Sequence, residues 1–281
     1  MATEILRPNA VGDRSEIAIL YPTGGNNYTK VYEVVADGDT TYLQNDLSAS
    51  YQYDLYNIEA SSLSPSVIIT SLIVYVRAKR AISGGYDCFV MAGVKTGGIE
   101  DWSSVLSILN SYVNASKTWT TNPQTGVAWV VADLANLQIG CASGKNITNA
   151  ARITQVWVVV NYNYAPTITT QTVTEISGVR ATGNGNITDL GSPNPTAHGV
   201  CWNKTGTPTI SDDKTDEGAA SATGAFTTNM TDLTIGTKYY VRAYATNTIG
   251  TSYGAEVEFW TPANANPRLF VPRMVMIHKG R

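Results

Sequence analysis

Gly236-Thr-Lys-Tyr-Tyr-Val-Arg-Ala-Tyr-Ala-Thr-Asn-Thr-Ile-Gly-Thr-Ser-Tyr-Gly-Ala-Glu-Val-Glu-Phe-Trp-Thr-Pro262 decides the fold class of this chain. Val241, Ala243 and Ala245 alternate with Arg242, Tyr244 and Thr246, the period of two expected of a half-buried strand. Asn247 to Gly250 supplies a hairpin turn, and Val257 and Phe259 return on the partner strand. The stretch reads as the last two strands of a small β-sandwich. Domains of this kind bind, space or display more often than they catalyse, so a non-enzyme is the starting expectation.

Working outward, 281 residues suffice for two domains with separate cores. Only 15% of residues are charged, and no long stretch rich in Glu, Lys and Leu is present, which points to an all-β chain. A formal net charge of −3 provides no general basic field for nucleic acid. Cys88, Cys141 and Cys201 do not form a disulfide framework; Cys88 and Cys141 are a conceivable pair, and three buried thiols are the simpler reading. The first residues lack a basic segment followed by an apolar run, so a secretory leader is not expected. No apolar run approaches the ~20 residues of a membrane span. Six Asn-x-Ser/Thr sequons, at Asn27, Asn114, Asn146, Asn186, Asn203 and Asn229, are expected by chance in a chain so rich in these residues.

Three segments follow. Residues 1–164 read as one β-rich domain. Within it, 28–35 and 40–44 flank the turn Asp37-Gly-Asp39 as a hairpin, and strands are expected near 51–58, 67–79, 86–94, 106–119, 137–141 and 152–162. Asp133-Leu-Ala-Asn-Leu is a candidate helical turn. Val156 to Val160 is apolar on both faces and predicts a central, buried strand. Eight to ten strands with little helix predict a jelly-roll-like β-sandwich. Tyr164-Ala-Pro166 marks the boundary, because proline cannot extend a ladder. Residues 165–262 form the second sandwich, and 263–281 a tail.

The second domain resembles the fibronectin type III-like modules of surface proteins in Bacteroidetes-type bacteria and their phages. The residues that carry the likeness are Val179-Arg-Ala-Thr-Gly-Asn-Gly-Asn-Ile-Thr188, Ala197-His-Gly-Val-Cys-Trp202, Pro208-Thr-Ile-Ser-Asp212 and Leu233-Thr-Ile-Gly-Thr-Lys-Tyr239. The resemblance implies a tyrosine corner at Tyr239, its hydroxyl bonding back to the backbone. Ile235 stands where the family usually has proline. The first domain is similar to β-sandwiches of phage and metagenomic virion-surface proteins, through Leu6-Arg-Pro-Asn, Asp39-Thr-Thr-Tyr42, Trp119 to Trp129 and Thr154-Gln-Val-Trp-Val-Val-Val.

Chemistry has few carriers. His278 lies in the tail, and His198 beside Gly199 reads as structural. No Gly-x-Ser-x-Gly elbow, zinc spacing, P-loop or dinucleotide fingerprint is present. Asp37 and Asp39 are weak candidates for a structural Ca²⁺, with an ordinary Asp-Gly turn as the simpler reading. Asp212, Asp213, Asp216 and Glu217 read as a solvated acidic loop. Aromatic rings stack on the apolar C–H faces of sugars, which makes Trp102, Trp119 and Trp129, with Tyr51, Tyr53 and Tyr86, candidate glycan contacts.

The tail carries Arg268, Arg273, Lys279 and Arg281 and no acid, so without it the formal charge falls from −3 to −7. Leu269, Phe270, Val271, Met274, Val275, Met276 and Ile277 make it apolar as well. A basic, apolar, proline-punctuated segment beyond a complete sandwich is a candidate docking strand for a neighbouring subunit, with folding back on its own domain as the alternative. Taken with the resemblances, the expectation is a non-enzymatic virion protein without cofactor. Its partners would be other virion proteins, further copies of itself (a trimer by analogy) and a host-surface glycan, with neither nucleic acid nor membrane insertion. A carbohydrate-binding or adhesion module of a bacterial surface is the alternative.

Overall fold

Residues 72–78 show how the first core is made: Leu72, Val74, Val76 and Ala78 are fully buried, while Ile73, Tyr75 and Arg77 between them stay half-exposed. The computed structural model describes residues 1–35, 40–45, 51–81, 88–144 and 150–263. The chain divides into two units, Met1–Asn163 and the part from Tyr164 onward. The candidates Asp37, Asp39, Tyr86, Asn146, His278 and the tail residues Arg268, Leu269, Phe270, Val271, Arg273, Met274, Met276 and Lys279 lie outside the described residues.

The strands of the first unit are β1 (Ala2–Leu6), β2 (Pro8–Ser15), β3 (Ile19–Tyr21), β4 (Tyr42–Gln44), β5 (Gln52–Ile58), β6 (Ile68–Arg80), β7 (Cys88–Thr96), β8 (Ile99–Trp102), β9 (Leu106–Ile108), β10 (Val113–Trp119), β11 (Gln138–Gly144) and β12 (Ala151–Asn163). One sheet runs β10-β6-β12-β4-β3, with β1 also on β12. The other runs β2-β5-β11-β7-β8, with β9 also on β7. From β4 to β12 the chain passes back and forth between the sheets. The resulting orders, β4-β12-β6-β10 and β5-β11-β7-β8, are those of a jelly roll. The inward residues of both sheets, among them Val76, Val158, Val90, Val94 and Ile139, fill one core.

Three local expectations are corrected here. Residues 28–35 are not the strand that pairs with β4. Asn27–Lys30 is a 3-10 turn, and β3 takes that edge instead. The cause is Asn27, whose buried amide donates to the Ile17 carbonyl and to Asp54 and so curls the chain before it can extend. Strand β12 is central, yet of residues 156–160 only Val156, Val158 and Val160 face the core; Trp157 and Val159 are half-exposed, and Trp157 stacks on Tyr75 at 5.0 Å. A bulge between Ile153 and Gln155 inserts Thr154, which lets Ile153 and Val156 face the same side despite their odd spacing. Residues 106–119 form two strands, β9 and β10, rather than one.

The second unit comprises β13 (Thr167–Thr174), β14 (Ala181–Asp189), β15 (Ala197–Asn203), β16 (Asp213–Lys214), β17 (Gly224–Met230), β18 (Lys238–Thr246), β19 (Thr251–Tyr253) and β20 (Val257–Trp260). The sheets β13-β14-β17 and β16-β15-β18, the latter continued by β19 and β20 on β18, form an immunoglobulin/fibronectin III-like sandwich. Its core holds Val200, Trp202, Met230, Tyr239, Val241, Ala243 and Phe259. Gly185 makes the close packing of the sheets possible, since a Cβ there would lie 2.5 Å from the Phe226 ring and 2.9 Å from Ala243. Tyr164 belongs to this unit: it exchanges backbone hydrogen bonds with Ser192, and its carbonyl accepts the Asn247 amide at 2.9 Å.

Candidate functional site

Strand β11 alternates Ile139 and Cys141, which face the core, with Gly140, Ala142 and Gly144, which face outward. Three small outward residues leave a shallow track along the middle of the sheet. The neighbouring strands fill it with rings. Trp102 on β8 lies over its cross-strand partner Gly93, where a Cβ would come within 2.3 Å of the indole. Tyr51, just before β5, lies over Gly144, where a Cβ would come within 2.4 Å of the ring. Tyr53 stands between them, 6.3 Å from Tyr51 and edge-on to Trp102 at 5.0 Å. All three rings are half-buried, so each keeps part of its surface toward solvent. Aromatic cover over sheet glycines restores packing that a missing side chain would lose.

The polar rim of this face comes from β2. Between Val11, opposite Tyr56, and Ser15, opposite Asp54, three residues stand against one. The surplus arches over the sheet: a Cβ on Gly12 would sit 2.6 Å from the Leu55 carbonyl oxygen, and the Asp13 N–H donates to Gln138. Arg14 is thereby carried onto the face. Its guanidinium covers the Tyr53 ring at 4.3 Å and donates to Glu100 at 2.9 Å and to Glu16 at 2.7 Å. Glu100 also accepts the Trp102 indole N–H at 3.3 Å, and Lys95 pairs with Asp13 at 2.7 Å. The bonds from Glu16 and Glu100 outweigh the cost of burial and raise the Arg14 pKa above its ordinary value.

Beneath the same sheet lies a buried polar knot. Asp54 Oδ1 accepts the backbone N–H groups of Glu16 and Ile17 at 2.7 and 3.0 Å, and Oδ2 accepts the Asn27 amide and the Tyr56 hydroxyl at 2.5 and 2.9 Å. Burial raises the carboxyl's pKa above the usual 3.8, and its hydrogen bonds only partly offset that. Burial likewise pushes the Tyr56 hydroxyl and the Cys141 thiol well up. These groups are fixed in packing, with no solvent path to a reactant.

The sequence candidates divide accordingly. Trp102, Tyr51 and Tyr53 come together on the outer face. Trp119 and Trp129 are corrected as glycan contacts: they are 4% and 2% exposed and belong to the core. Their indole N–H groups reach Asp101 at 2.7 Å and the Trp119 carbonyl at 3.2 Å, so ring and polar edge are both committed. For Asp101, burial alone would raise the pKa, but the hydrogen bonds from Lys117 and Trp119 hold it below the usual value. The sequon residue Asn27 is buried, which removes it as a glycosylation acceptor. All three cysteines are free and buried.

In the second unit, His198 meets the Gly218 carbonyl through Nδ1 at 2.8 Å and stands edge-on to Phe226. The acidic loop is locally bonded: Asp212 accepts the Thr209 N–H, Asp216 the Gly218 N–H, and Glu217 the Thr228 hydroxyl. The Tyr239 hydroxyl accepts the Thr234 N–H at 2.9 Å, and its ring stacks on Phe259 at 5.6 Å. Among the described residues, no three His, Cys, Asp or Glu side chains converge as a metal site, and no helix is long and apolar enough to cross a membrane.

Sequence reading did not find Arg14, Glu16 and Glu100, because β2 reaches this face only through its irregular arch. One signal was present. Gly140-x-Ala142-x-Gly144 is a row of small residues on one strand face, and such a row calls for large partners alongside.

No protein-family model and no curated protein matches the chain. Solved structures similar to it include the sensor domain of an anti-sigma factor of Pseudobacteroides cellulosolvens, at 14% identity over 36% of this chain and 93% of that one, with a TM-score of 0.27. A fibronectin type III domain from a human protein is 15% identical over 40% of this chain and 85% of that one, with a TM-score of 0.24. A β-1,2-glucanase of Parabacteroides distasonis is 8% identical over 92% of this chain and 37% of that one, with a TM-score of 0.31. The second unit is a fibronectin III/immunoglobulin-like β-sandwich by its strand order and register.

Proposed function

We propose that this chain is a non-enzymatic structural protein of a bacteriophage particle, a capsid decoration, head-fibre or tail-associated subunit that is made in the host cytoplasm and exposed on the particle surface. The observation that carries the reading is the tandem itself: a jelly roll joined through Tyr164-Ala-Pro166 to a fibronectin III-like sandwich. The first unit and the basic tail serve assembly, and the second unit serves display. Self-association places many copies on one particle, so weak single contacts act together through effective concentration.

Electron microscopy of native particles with matched mass spectrometry tests this. The expected result is many ordered copies on a capsid or tail, with incorporation weakened by deletion of residues 263–281. A free monomer absent from every particle would overturn it.

A second reading, a carbohydrate-binding or adhesion module, is favoured by the half-exposed row Tyr51, Tyr53 and Trp102 on an outer sheet face. Display and sugar binding are compatible, and the row bears on the display protein as well.

A further inference from the structure

We infer that the outer face of the β2-β5-β11-β7-β8 sheet is a binding site for a neutral glycan, built from the Tyr51 and Trp102 rings and the rim of Arg14, Glu16 and Glu100. The inference gives the first unit an attachment role beside assembly and rests on the virion reading above, while its measurement needs no particle.

Three features support the site. First, two rings lie over glycines of the sheet, Trp102 over Gly93 and Tyr51 over Gly144, and both keep part of their surface in solvent. Each ring offers a π-face to the C–H face of a pyranose. They are separated by no more than the 6.3 and 5.0 Å steps through Tyr53, within reach of a short oligosaccharide. Second, Tyr53 stands between the two rings over Ala142 and carries the Arg14 guanidinium at 4.3 Å, so the rings and the guanidinium adjoin along one row.

Third, the rim supplies hydrogen-bonding groups in a fixed arrangement. Glu100 is held by Arg14 and the Trp102 indole N–H, and Glu16 by Arg14 and the Tyr53 backbone N–H. A carboxylate oxygen has more than one lone pair, so both acids can still accept from sugar hydroxyls without breaking these bonds. Because the rim is preorganised, binding orders few protein side chains.

The charge around the rings selects the class of sugar. Arg14 and Lys95 face Asp13, Glu16 and Glu100, one negative charge in excess. Uronic or sialic acids would add further negative charge next to these carboxylates. A neutral hexose polymer meets no such repulsion and uses the acids as acceptors.

Affinity gel electrophoresis of the full 281-residue chain tests the site, with soluble neutral polysaccharides (β-glucan, galactomannan, xylan) and one acidic polysaccharide (alginate) cast in the gels. At least one neutral polymer is expected to retard the chain, and alginate is not. Tyr51→Ala and Trp102→Leu are each expected to weaken that retardation about tenfold, the scale of one lost aromatic contact. Leucine keeps Gly93 covered, so its effect reports the flat ring rather than folding, and a thermal melt of each variant checks this. Trp260→Ala, at a 64% exposed ring of the second unit, is expected to change nothing. No retardation by any neutral polymer, retardation by alginate alone, or equal retardation of both site variants and the parent overturns the inference. Particle incorporation of Tyr51→Ala, scored separately, is expected to be normal; a loss there with glycan binding intact counts against this site and not against the virion reading.

Discussion

The two sandwiches of this chain are closed by different means. In the second unit, strands follow one another through connections of three to nine residues, and backbone groups left over at its edges and corners are met by Thr, Ser and Asn side chains. Asn247 holds Tyr164, Pro193, Ile249 and Gly250, and the Tyr239 hydroxyl holds Thr234. In the first unit, β2 leaves its ladder with β5 between Val11 and Ser15. It arches over one sheet and is fixed from beneath by a buried carboxylate and from above by ion pairs. Regular closure spreads its stabilisation over many small contacts. Irregular closure concentrates it in a few residues, and those should be the sensitive ones.

Asp54 should therefore show the largest effect. Asp54→Ala removes the acceptor of two backbone N–H groups, the Asn27 amide and the Tyr56 hydroxyl, and all of these bonds but the one from the Glu16 N–H are buried. A loss of about 3 kcal/mol or more is expected, read as a lower melting temperature of the first unit with the transition of the second unchanged. A matching shift of both transitions would show that the two cores do not melt independently. Asp54→Asn keeps the shape and tests the charge. Burial raises the folded carboxyl above the unfolded value near 3.8, so the folded form holds its proton more tightly. This contribution favours folding most at low pH and is lost as pH rises through the raised value. Relative to Asp54→Asn, the parent should thus lose stability on going upward from about pH 4; a difference that grows in the opposite direction would refute the assignment.

The corresponding residue of the second unit, Tyr239, should matter less. Tyr239→Phe keeps the ring stacked on Phe259 and in the core but leaves the Thr234 N–H without its partner. About 1 kcal/mol is expected, confined to the second transition in a denaturant melt. A loss as large as that of Asp54→Ala would erase the contrast between concentrated and distributed closure.

This contrast also explains what could be read in the sequence. The second unit was legible because its strands obey the period of two, as Val241, Ala243 and Ala245 show, and because its turns are coded locally. In the first unit, the long strands β6, β7 and β12 were legible as apolar runs bounded by turn residues. What escaped was set by contacts distant along the chain. Asn27 makes a 3-10 turn because Asp54 is there to receive it, and nothing near residue 27 says so. Trp119 and Trp129 offered the same aromatic surface as Trp102 on paper. Two of them face inward because Asp101 and the Trp119 carbonyl meet their N–H groups, a pairing that no local pattern encodes. The site rim depends on the β2 arch, which breaks the alternation used to find strands.

The strap over the outer face should show the smallest effect, and it sharpens the comparison most. Arg14, Glu100 and Lys95 are 30%, 24% and 19% exposed at their side chains, so their ion pairs are neither fully solvated nor fully buried. Glu100→Gln keeps an acceptor for the Trp102 indole and removes the charge opposite Arg14. Water can reach the groups it leaves behind, so the loss should be under about 1 kcal/mol and should shrink further in high salt. A double-mutant cycle between Arg14 and Glu100, run at low and high salt, measures the coupling directly. A coupling of a few tenths of a kcal/mol that salt screens would mean that the arch is held from below, by Asp54, and that its upper side is free to serve the rim. A coupling comparable to the Asp54→Ala loss and insensitive to salt would place the lock on the outer face instead. The carboxylates there would then be engaged in stability, and the face would be a poorer place to receive a sugar.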